Sequence, residues 1–327
     1  MAKPPPRRLK ICAQPGAFYS AGMSETTKPA SQTFEGGATG FIGLGVMGRS
    51  LAGHLLTAGY PVVVYTRTKS TAEPAVAAGA QWAPTPAELA PQCKLIFTMV
   101  GFPKDVDEVF LGAHGLVNTA GPGTLLVDLT TSTPALAKKI AVAAAARGMA
   151  ALDAPVTGGD VGAKNAKLSL MVGGDTAAFA RAEPILRLFG PTVVHHGPAG
   201  SGQHAKMCNQ IMIACTMIGM CEALAYAQGA GLDAQKMLQS TGGGGAASWS
   251  LQNLAPRILS GNFAPGFYVK HFCKDLAIAL ASAKEMNLAL PGLVLGEKLY
   301  HDLAAAGHAD DGTQALWKLY EGNIGKH

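Results

Sequence analysis

Charged residues are scarce in this chain of 327 residues, at 14% against 48% apolar. The formal charge is +5, and much of that surplus lies in residues 1–37, which hold five basic residues and two acidic ones. The rest is too weakly basic for a nucleic-acid-binding surface, and no basic run is interleaved with aromatic residues, so we predict no nucleic-acid partner. A chain of this length and apolar content can bury a large core and is most simply two domains.

Patterns typical of disulfides, metal sites and membrane spans are also missing. The six cysteines form no Cys-x-x-Cys pair, and four fall in predicted helices, so we expect buried, reduced thiols. No histidines, including His195 and His196, have metal-ligand spacing, so no metal is predicted. The longest apolar run is too short for a bilayer and no secretory h-region is seen, so no membrane partner is predicted. We expect a cytoplasmic protein.

Residues 1–37 contain three successive prolines and two adjacent arginines but no apolar periodicity, which predicts a disordered extension. Their basic, hydroxyl-containing composition is also typical of a transit peptide, so targeting to an organelle is the alternative to the cytoplasm. Two glutamates and the downstream Met23, a second candidate start, count against that alternative.

A glycine-rich motif follows the strand-like Phe41-Ile42. Its spacing is GxGxxG, which permits a tight turn and close approach of the backbone to a pyrophosphate. A helix-like segment and a strand-like run at residues 60–65 complete a βαβ unit. The predicted dinucleotide-binding residues are Gly43, Leu44, Gly45, Val46, Met47 and Gly48.

An alternative register of glycines exists one step earlier, in Gly37-Ala-Thr-Gly40-Phe-Ile-Gly43. This spacing is typical of short-chain dehydrogenases. It would need an apolar strand at residues 30–36 and a later Tyr-x-x-x-Lys, and the chain offers neither in a suitable place.

The loop after the second strand indicates which cofactor is bound. An NAD-binding unit usually has an acid about 20 residues past the glycines, but the first one after Glu35 is Glu73. Arg67, Thr68 and Lys69 stand in that region, and their charges and hydroxyl suit a 2′-phosphate. We therefore predict NADP(H) rather than NAD(H), the alternative being that Arg67 is merely solvated.

Strand-like and helix-like segments continue to alternate to about residue 196. This pattern predicts an α/β fold, with an N-terminal Rossmann doubly wound sheet over residues 38–199. Ligands of such sheets bind at the carboxyl ends of the strands, where Thr130 and the turn Thr157-Gly158-Gly159 are expected. Thr133 is the predicted N-cap of a helix whose first residue is Pro134.

One long helix is predicted from Ser201 to Gln228, and the chain is helical from there on. An all-α domain is therefore predicted over residues 200–327, joined to the sheet by this central helix. Residues 211–221 are apolar on all faces, so we expect burial on every side with help from a partner chain. The four consecutive glycines Gly242–Gly245 are expected to form a mobile loop at the cleft.

Lys206 stands near the start of the long helix. It shares a helix face with Asn209 and Gln210, whereas His204 and Cys208 point away. Lys206 is either a solvated lysine of the first turns or a general acid/base in a cleft, where desolvation lowers its pKa.

These segments in this order resemble the β-hydroxyacid dehydrogenases, the family of 3-hydroxyisobutyrate dehydrogenase and, more distantly, 6-phosphogluconate dehydrogenase. The likeness extends from about Thr39 to the C-terminus. It rests on five motifs: Gly40-Phe-Ile-Gly-Leu-Gly-Val-Met-Gly48, Asp128-Leu-Thr-Thr131, Asp153-Ala-Pro-Val-Thr-Gly-Gly159, Gly200-Ser-Gly-Gln-His-Ala-Lys206 with Asn209, and Lys274-Asp-Leu276.

The resemblance implies that Lys206 is the catalytic acid/base and that Asn209 helps to hold the reacting oxygen. It implies that Thr157, Gly158 and Gly159 bind a substrate carboxylate. Lys274 is then near both cofactor and substrate, and Val100 and Thr130 line the cofactor site. It further implies a homodimer or homotetramer. The expected reaction is NADP-linked interconversion of a small β-hydroxy acid and its aldehyde acid, nominally 3-hydroxyisobutyrate.

The sequence departs from the family pattern at a few positions. Serine is usual where Thr130 and Thr157 stand, Gln210 replaces a second asparagine, and Gly36-Gly37 weaken the first strand. The alternatives on this scaffold are an imine reductase, in which the lysine is replaced, and a non-catalytic NADP-binding interaction protein. Lys206 counts against both. We expect Trp249 and Phe267 to help select the substrate.

Overall fold

The structure is a computed structural model that describes residues 33–321. The predicted disordered extension lies largely outside these residues. At its end, Phe34 is buried and pairs with Gly37 in an isolated bridge, and Glu35 accepts two hydrogen bonds from Arg181. Residues 34–37 therefore form a turn packed on the core rather than part of an extension.

The first part of the chain alternates strands with helices. Its elements are β1 (Ala38–Ile42), α1 (Gly48–Thr57), β2 (Val62–Tyr65), α2 (Glu73–Ala77), β3 (Gln81–Trp82), α3 (Pro86–Leu89), β4 (Cys93–Thr98), α4 (Pro103–Leu111), α5 (Leu116–Thr119), β5 (Leu125–Asp128), α6 (Pro134–Ala145), β6 (Ala150–Asp153), β7 (Val156–Thr157), α7 (Gly159–Lys164), β8 (Ser169–Gly173), α8 (Thr176–Leu186) and β9 (Thr192–Gly197). Short 3₁₀ turns lie at Lys69–Ala72 and Ala90–Gln92. As predicted, the Thr133 hydroxyl caps α6, accepting a hydrogen bond from Leu136 N.

The nine strands within residues 33–321 form one sheet in the order β3-β2-β1-β4-β5-β6-β8-β7, with β9 paired to β8. Strands β1 to β6 are joined in parallel, whereas β8 is antiparallel to β6 and β7. Strand β1 lies between β2 and β4, so the order of strands reverses there. Open α/β sheets bind ligands at such a reversal, outside the carboxyl ends of the strands. The predicted Rossmann sheet is confirmed.

Both faces of the sheet are covered. Phe41 and Phe97 pack into the core on one face, while their neighbours Ile42 and Ile96 pack into the core on the other. This alternation is the period of two expected of a strand, and it explains why these strands are apolar at nearly every position.

Strand β1 is well ordered despite its weak apolar pattern. A Cβ at Gly40 would lie only 2.6 Å from Leu89 Cδ2 and 3.2 Å from Cys93 Sγ. The glycine thus allows the segment between α3 and β4 to lie against the strand. The alternative short-chain dehydrogenase register is wrong, because residues 38–42 are this strand rather than a phosphate-binding loop.

The second part of the described chain is helical. It comprises α9 (Ser201–Gly229), α10 (Ala234–Thr241), α11 (Trp249–Asn253), α12 (Ala255–Leu259), α13 (Val269–Glu285), α14 (Pro291–Leu303) and α15 (Trp317–Glu321), with a π-helical turn at Ala304–His308 and a 3₁₀ turn at Thr313–Leu316. These helices enclose a third core around one face of α9, including Met217, Leu224 and Phe272. The predicted central helix and helical C-terminal region are confirmed. Gly242–Gly245 form turns that follow α10.

The opposite face of α9 is uncovered in the single chain. Met212 is 63% exposed, and Cys208, Cys215 and Gly219 beside it are also exposed. We call these four residues the α9 stripe. The expectation that the cysteines are buried is therefore wrong for Cys208 and Cys215. Burial of residues 211–221 on every side was expected only with help from a partner chain, and it stays a prediction. By length and composition α9 is also apolar enough to cross a membrane, but its buried face is part of the helical core, and packing accounts for that apolar character.

Candidate active site

The glycine-rich turn connects β1 to α1 at the reversal of the sheet. Gly43 has a φ of 95°, a conformation that favours glycine, and a Cβ there would overlap the Met99 carbonyl. A Cβ at Gly48 would overlap the Gly43 carbonyl, whereas one at Gly45 would meet no atom within 4 Å. The turn is thus packed tightly on the protein side and open at Gly45. This cradle fits the pyrophosphate of a dinucleotide.

The other side chains of this turn have separate environments. Leu44 is buried in the core and Met47 packs against it, so these two residues can offer a cofactor mainly their backbone. Val46 is exposed at the open side.

Arg67, Thr68 and Lys69 are all exposed in the loop after β2. Lys69 Nζ lies 4.6 Å from the centre of the Trp82 ring. Arg67 Nη1 lies 3.5 Å from Oδ1 of Asp105, an acid on α4 that sequence analysis missed. The loop therefore keeps its predicted positive charge but has a carboxylate beside it.

The loops after β4 and β5 are tied to each other and to α9. Val100 N donates to the Thr130 hydroxyl at 3.0 Å. Gln203, which is fully buried, accepts from Ser132 N at 2.9 Å and donates to Thr130 O at 2.8 Å. Thr130 is itself buried, so its side chain supports the Val100 loop.

Two buried carboxyl groups lie beneath these loops. Burial, with the nearby negative charge of Asp153, raises the pKa of Asp128 to about 7, although its hydrogen bonds from Thr130 act in the opposite direction. Asp153 accepts hydrogen bonds from Gly200 N at 2.7 Å and Gln203 N at 2.8 Å at the start of α9. Burial raises the pKa of Asp153 too, against these bonds. Asp153 thereby satisfies two N–H groups that would otherwise lack partners at the helix start.

Lys206 lies in the second turn of α9 and is 6% exposed. Its Nζ donates to Val156 O at 2.9 Å. Burial lowers its pKa to about 8, opposed by the negative charge of Asp275 and assisted by the positive charge of Lys274. Lys206 can therefore exchange a proton near neutral pH, as a general acid/base must.

Polar side chains link α9 to α13 beside Lys206. Asn209 Nδ2 donates to Gln210 Oε1 at 2.7 Å, and Gln210 Nε2 donates to Asp275 Oδ2 at 2.6 Å. Asp275 Oδ1 lies 3.1 Å from Lys274 Nζ, which donates to Thr131 O at 2.6 Å. Asp275 is buried and Lys274 is partly buried, so this ion pair lies between the helices and the β5 loop rather than on the surface.

The turn Thr157-Gly158-Gly159 lies directly after Val156, the acceptor of the Lys206 amine. Gly158 and Gly159 have φ values of 127° and 65°, so a side chain at either position would be strained. A Cβ at Gly159 would lie 3.9 Å from Gly266 O, which places the turn beside the segment that holds Phe267.

His271, near the start of α13, contacts the sheet part of the molecule. Its ring centre lies 5.2 Å from that of Phe102 in the β4–α4 loop and 6.5 Å from that of Phe267. Burial lowers its pKa, and the positive charges of Lys274 and Lys270 act in the same direction.

The structure thus brings Lys206, Asn209, Lys274 and the Thr157 turn together at one end of the site. The glycine turn and the Val100 loop lie on the sheet side. Trp249 is 60% exposed on α11, and no described contact joins it to these residues. Sequence analysis missed Gln203, Asp105 and His271. Helical spacing could have indicated two of them. Gln203 lies three residues before Lys206 and His271 three residues before Lys274, so each shares a helix face with a predicted site residue. No group of three or more His, Cys, Asp or Glu within residues 33–321 could hold a metal ion.

Two family profiles match the chain in succession. One, described as the NAD binding domain of 6-phosphogluconate dehydrogenase, matches residues 38–197. The other, described as NAD-binding of NADP-dependent 3-hydroxyisobutyrate dehydrogenase, matches residues 200–320.

Individual proteins match over nearly the same extent. "Uncharacterized oxidoreductase YkwC" of Bacillus subtilis is 55% identical over 281 residues, covering 86% of this chain and 98% of its own. "Probable 3-hydroxyisobutyrate dehydrogenase-like 1, mitochondrial" of Arabidopsis thaliana is 49% identical over 278 residues, covering 85% and 83%. The solved structure of Mycobacterium tuberculosis 3-hydroxyisobutyrate dehydrogenase with L-serine has a TM-score of 0.80 at 30% identity, covering 86% and 98%. With two successive profiles and relatives this similar over most of their length, the chain belongs to the β-hydroxyacid dehydrogenase family, oxidoreductases that use a nicotinamide cofactor.

Proposed function

We propose that the protein catalyses NADP(H)-linked interconversion of a small β-hydroxy acid and its aldehyde acid, with Lys206 as the general acid/base. The observation that carries this proposal is the buried Lys206 amine, whose pKa is lowered to about 8 beside the predicted carboxylate turn. A lysine in this state supports proton transfer at a reacting oxygen.

The glycine turn holds the cofactor pyrophosphate, with Gly45 at the point of close approach and Val100 and Thr130 shaping the far side. Arg67, Thr68 and Lys69 receive the 2′-phosphate, because an exposed guanidinium and ammonium suit a phosphate group. When bound, the nicotinamide supplies or accepts the hydride at the substrate carbon. The NADP-dependent enzyme named in the second family description supports this choice.

Lys206 handles the proton. In reduction its protonated Nζ donates to the carbonyl oxygen as that oxygen gains charge, and in oxidation the neutral amine accepts the hydroxyl proton. The Val156 carbonyl keeps the amine beside the substrate turn. The Asn209 Nδ2 group carries two hydrogens, and only one is needed for Gln210. The second is free to hold the reacting oxygen.

Thr157, Gly158 and Gly159 bind the substrate carboxylate through the hydroxyl and backbone N–H groups, and Lys274 adds positive charge. A β-carbonyl then faces Lys206. Phe267 lies beside this turn and limits the length of the substrate, whereas the exposure of Trp249 counts against the direct role expected for it. The related M. tuberculosis enzyme was solved with L-serine, itself a small 3-hydroxy acid.

The test is a panel of short acids assayed for NADPH oxidation and NADP reduction. It comprises 3-hydroxyisobutyrate, L-serine, glyoxylate and the methylmalonate, succinate and tartronate semialdehydes, with 6-phosphogluconate and a cyclic imine as controls. We expect turnover of at least one acid that reacts at its β-carbon, namely 3-hydroxyisobutyrate, L-serine, methylmalonate semialdehyde or tartronate semialdehyde, and of neither control. Turnover of only glyoxylate or succinate semialdehyde, whose carbonyls lie at the α- and γ-carbons, would contradict the β-position. Cofactor binding without any turnover would instead favour a non-catalytic module, and turnover of the imine alone would favour an imine reductase.

We also propose that residues 38–199 form a cofactor domain and residues 200–327 a substrate and self-association domain. Three separate apolar cores, two on the sheet and one around α9, support this division. The exposed α9 stripe supports a homodimer or homotetramer, because a continuous apolar stripe on a long helix is usually covered. Sedimentation at micromolar concentration should show a dimer or larger, and a monomer would contradict the assignment.

A further inference from the structure

Asp105 occupies an unexpected position for an acid in a site that is to receive a phosphate. It lies in the first turn of α4, and its Oδ2 accepts a hydrogen bond from Phe102 N at 3.0 Å. Its other oxygen, Oδ1, lies 3.5 Å from Arg67 Nη1. The acid is anchored at 16% exposure, while the arginine is 82% exposed and free to take other positions.

The sheet order explains how these residues meet. Arg67 follows β2 and Asp105 follows β4, and both strands flank β1 in parallel. Their carboxyl ends therefore face each other across the glycine turn. The ion pair spans the crevice at the adenosine end of the proposed cofactor site.

From this geometry we propose that Asp105 competes with the cofactor's 2′-phosphate for Arg67, and so limits how strongly the protein prefers NADPH to NADH. The inference rests on the proposed role of Arg67. A phosphate monoester carries a charge of about −1.5 to −2 near neutral pH. To pair with it, Arg67 must leave or share Asp105. NADH has no 2′-phosphate and meets no such competition.

The test compares adenosine 2′,5′-bisphosphate with adenosine 5′-monophosphate, which differ only in the 2′-phosphate, by calorimetric titration of the full chain. Asp105→Asn keeps an oxygen that can accept from Phe102 N, so α4 should remain capped. We expect this variant to bind the bisphosphate about two- to fivefold more tightly, the scale of an exposed ion pair. Binding of the monophosphate should be unchanged.

Asp107→Asn is the matched control, because it removes the same charge from the same helix at an acid that pairs with Lys139 instead. It should change neither affinity. Thermal unfolding checks that each variant is folded, and Asp105→Ser is the replacement should Asp105→Asn be unstable. In an Arg67→Ala background the gain from Asp105→Asn should disappear.

Three results would overturn the inference while leaving the NADP assignment intact. The first is no gain from Asp105→Asn although Arg67→Ala weakens the bisphosphate as expected. The second is an equal gain for both nucleotides. The third is a gain that persists without Arg67, because competition for this arginine would then not be the cause. Unchanged bisphosphate binding in Arg67→Ala alone would remove the NADP assignment itself.

Discussion

The two ends of the proposed site each contain a cation beside an acid, but they differ in their contact with water. At the adenosine end Arg67 is 82% exposed and lies 3.5 Å from Asp105. At the other end Lys206 is 6% exposed, and the fully buried Asp275 acts on its pKa together with Lys274. The residue types are alike and their surroundings are not.

Water decides what each pair can do. Exposed charges are screened, so the Arg67 pair contributes at most about 1 kcal/mol and can be exchanged for a ligand at little cost. Buried charges are screened much less, and desolvation lowers the Lys206 pKa to about 8. We therefore propose that the solvent-exposed end at Arg67 selects the cofactor and that the buried end at Lys206 transfers the proton.

The largest expected effect comes from removing the buried cation. Lys206→Ala should lower kcat by about 10²–10⁴-fold, because proton transfer by a positioned group contributes about that much. Binding of NADPH should be retained, since the glycine turn and Arg67 are unchanged. Steady-state kinetics together with NADPH titration measure both quantities.

Lys206→Arg serves as the control that keeps positive charge at this position. It should be as inactive as the alanine variant, because a guanidinium does not release its proton near neutral pH. In the wild-type protein, kcat/KM for oxidation should rise with pH, reach half its plateau near pH 8 and level off above that value, since the neutral amine is required. For reduction it should fall above about 8. Full activity in the arginine variant would refute the acid/base role.

Features set by local sequence could be predicted, and the surroundings of Lys206 show why. Helical periodicity alone placed Gln210 on its face and Cys208 away from it, and in the structure Gln210 is buried and Cys208 exposed. The glycine turn was likewise predictable, because its required conformations restrict the residue types.

Contacts made across the sheet could not be predicted in the same way. Asp105 is 38 positions beyond Arg67, and Gln203 is 73 beyond Thr130. They meet only because β2 and β4 flank β1, and because α9 begins below the β5 loop. The glycines Gly36 and Gly37, which weakened the pattern of the first strand, lie just before β1 begins at Ala38. A Cβ at Gly37 would overlap the Lys94 side chain on β4, so this glycine too is small because of a remote neighbour. The residue types at such positions depend on neighbours that are remote in the chain.

The next largest effect tests the exposed end. Arg67→Ala should weaken NADPH binding roughly 10- to 100-fold and barely change NADH, because charge-assisted hydrogen bonds to a phosphate contribute about 1.5–3 kcal/mol each. The loss should shrink as salt is raised, since both partners are exposed.

Arg147→Ala is the control for net charge. Arg147 lies beyond the end of α6, where it donates to Asn118. Its removal should leave both affinities unchanged. Equal losses for NADPH and NADH in Arg67→Ala would sink the preference for NADP.

A further effect, measured on stability rather than on binding or turnover, sharpens the comparison. Asp128 is buried, and its pKa is raised to about 7 in the folded protein, above the usual 3.8. Between these values the folded state holds a proton that the unfolded state has released, so the wild-type protein loses stability as pH rises towards 7. Asp128→Asn cannot ionise, while its amide oxygen can still accept from Thr130 N. Relative to wild type it should therefore gain up to about 1.4 kcal/mol per pH unit from pH 5 to 7, measured by urea unfolding. This range avoids the titration of Lys206.

The control is Asp107→Asn at an exposed acid. Its free energy of unfolding should differ from that of wild type by no more than about 0.5 kcal/mol at every pH. If the stability difference between Asp128→Asn and wild type were also constant with pH, the wild-type Asp128 carboxyl group would be solvated. The buried end of the site would then extend no further than Lys206.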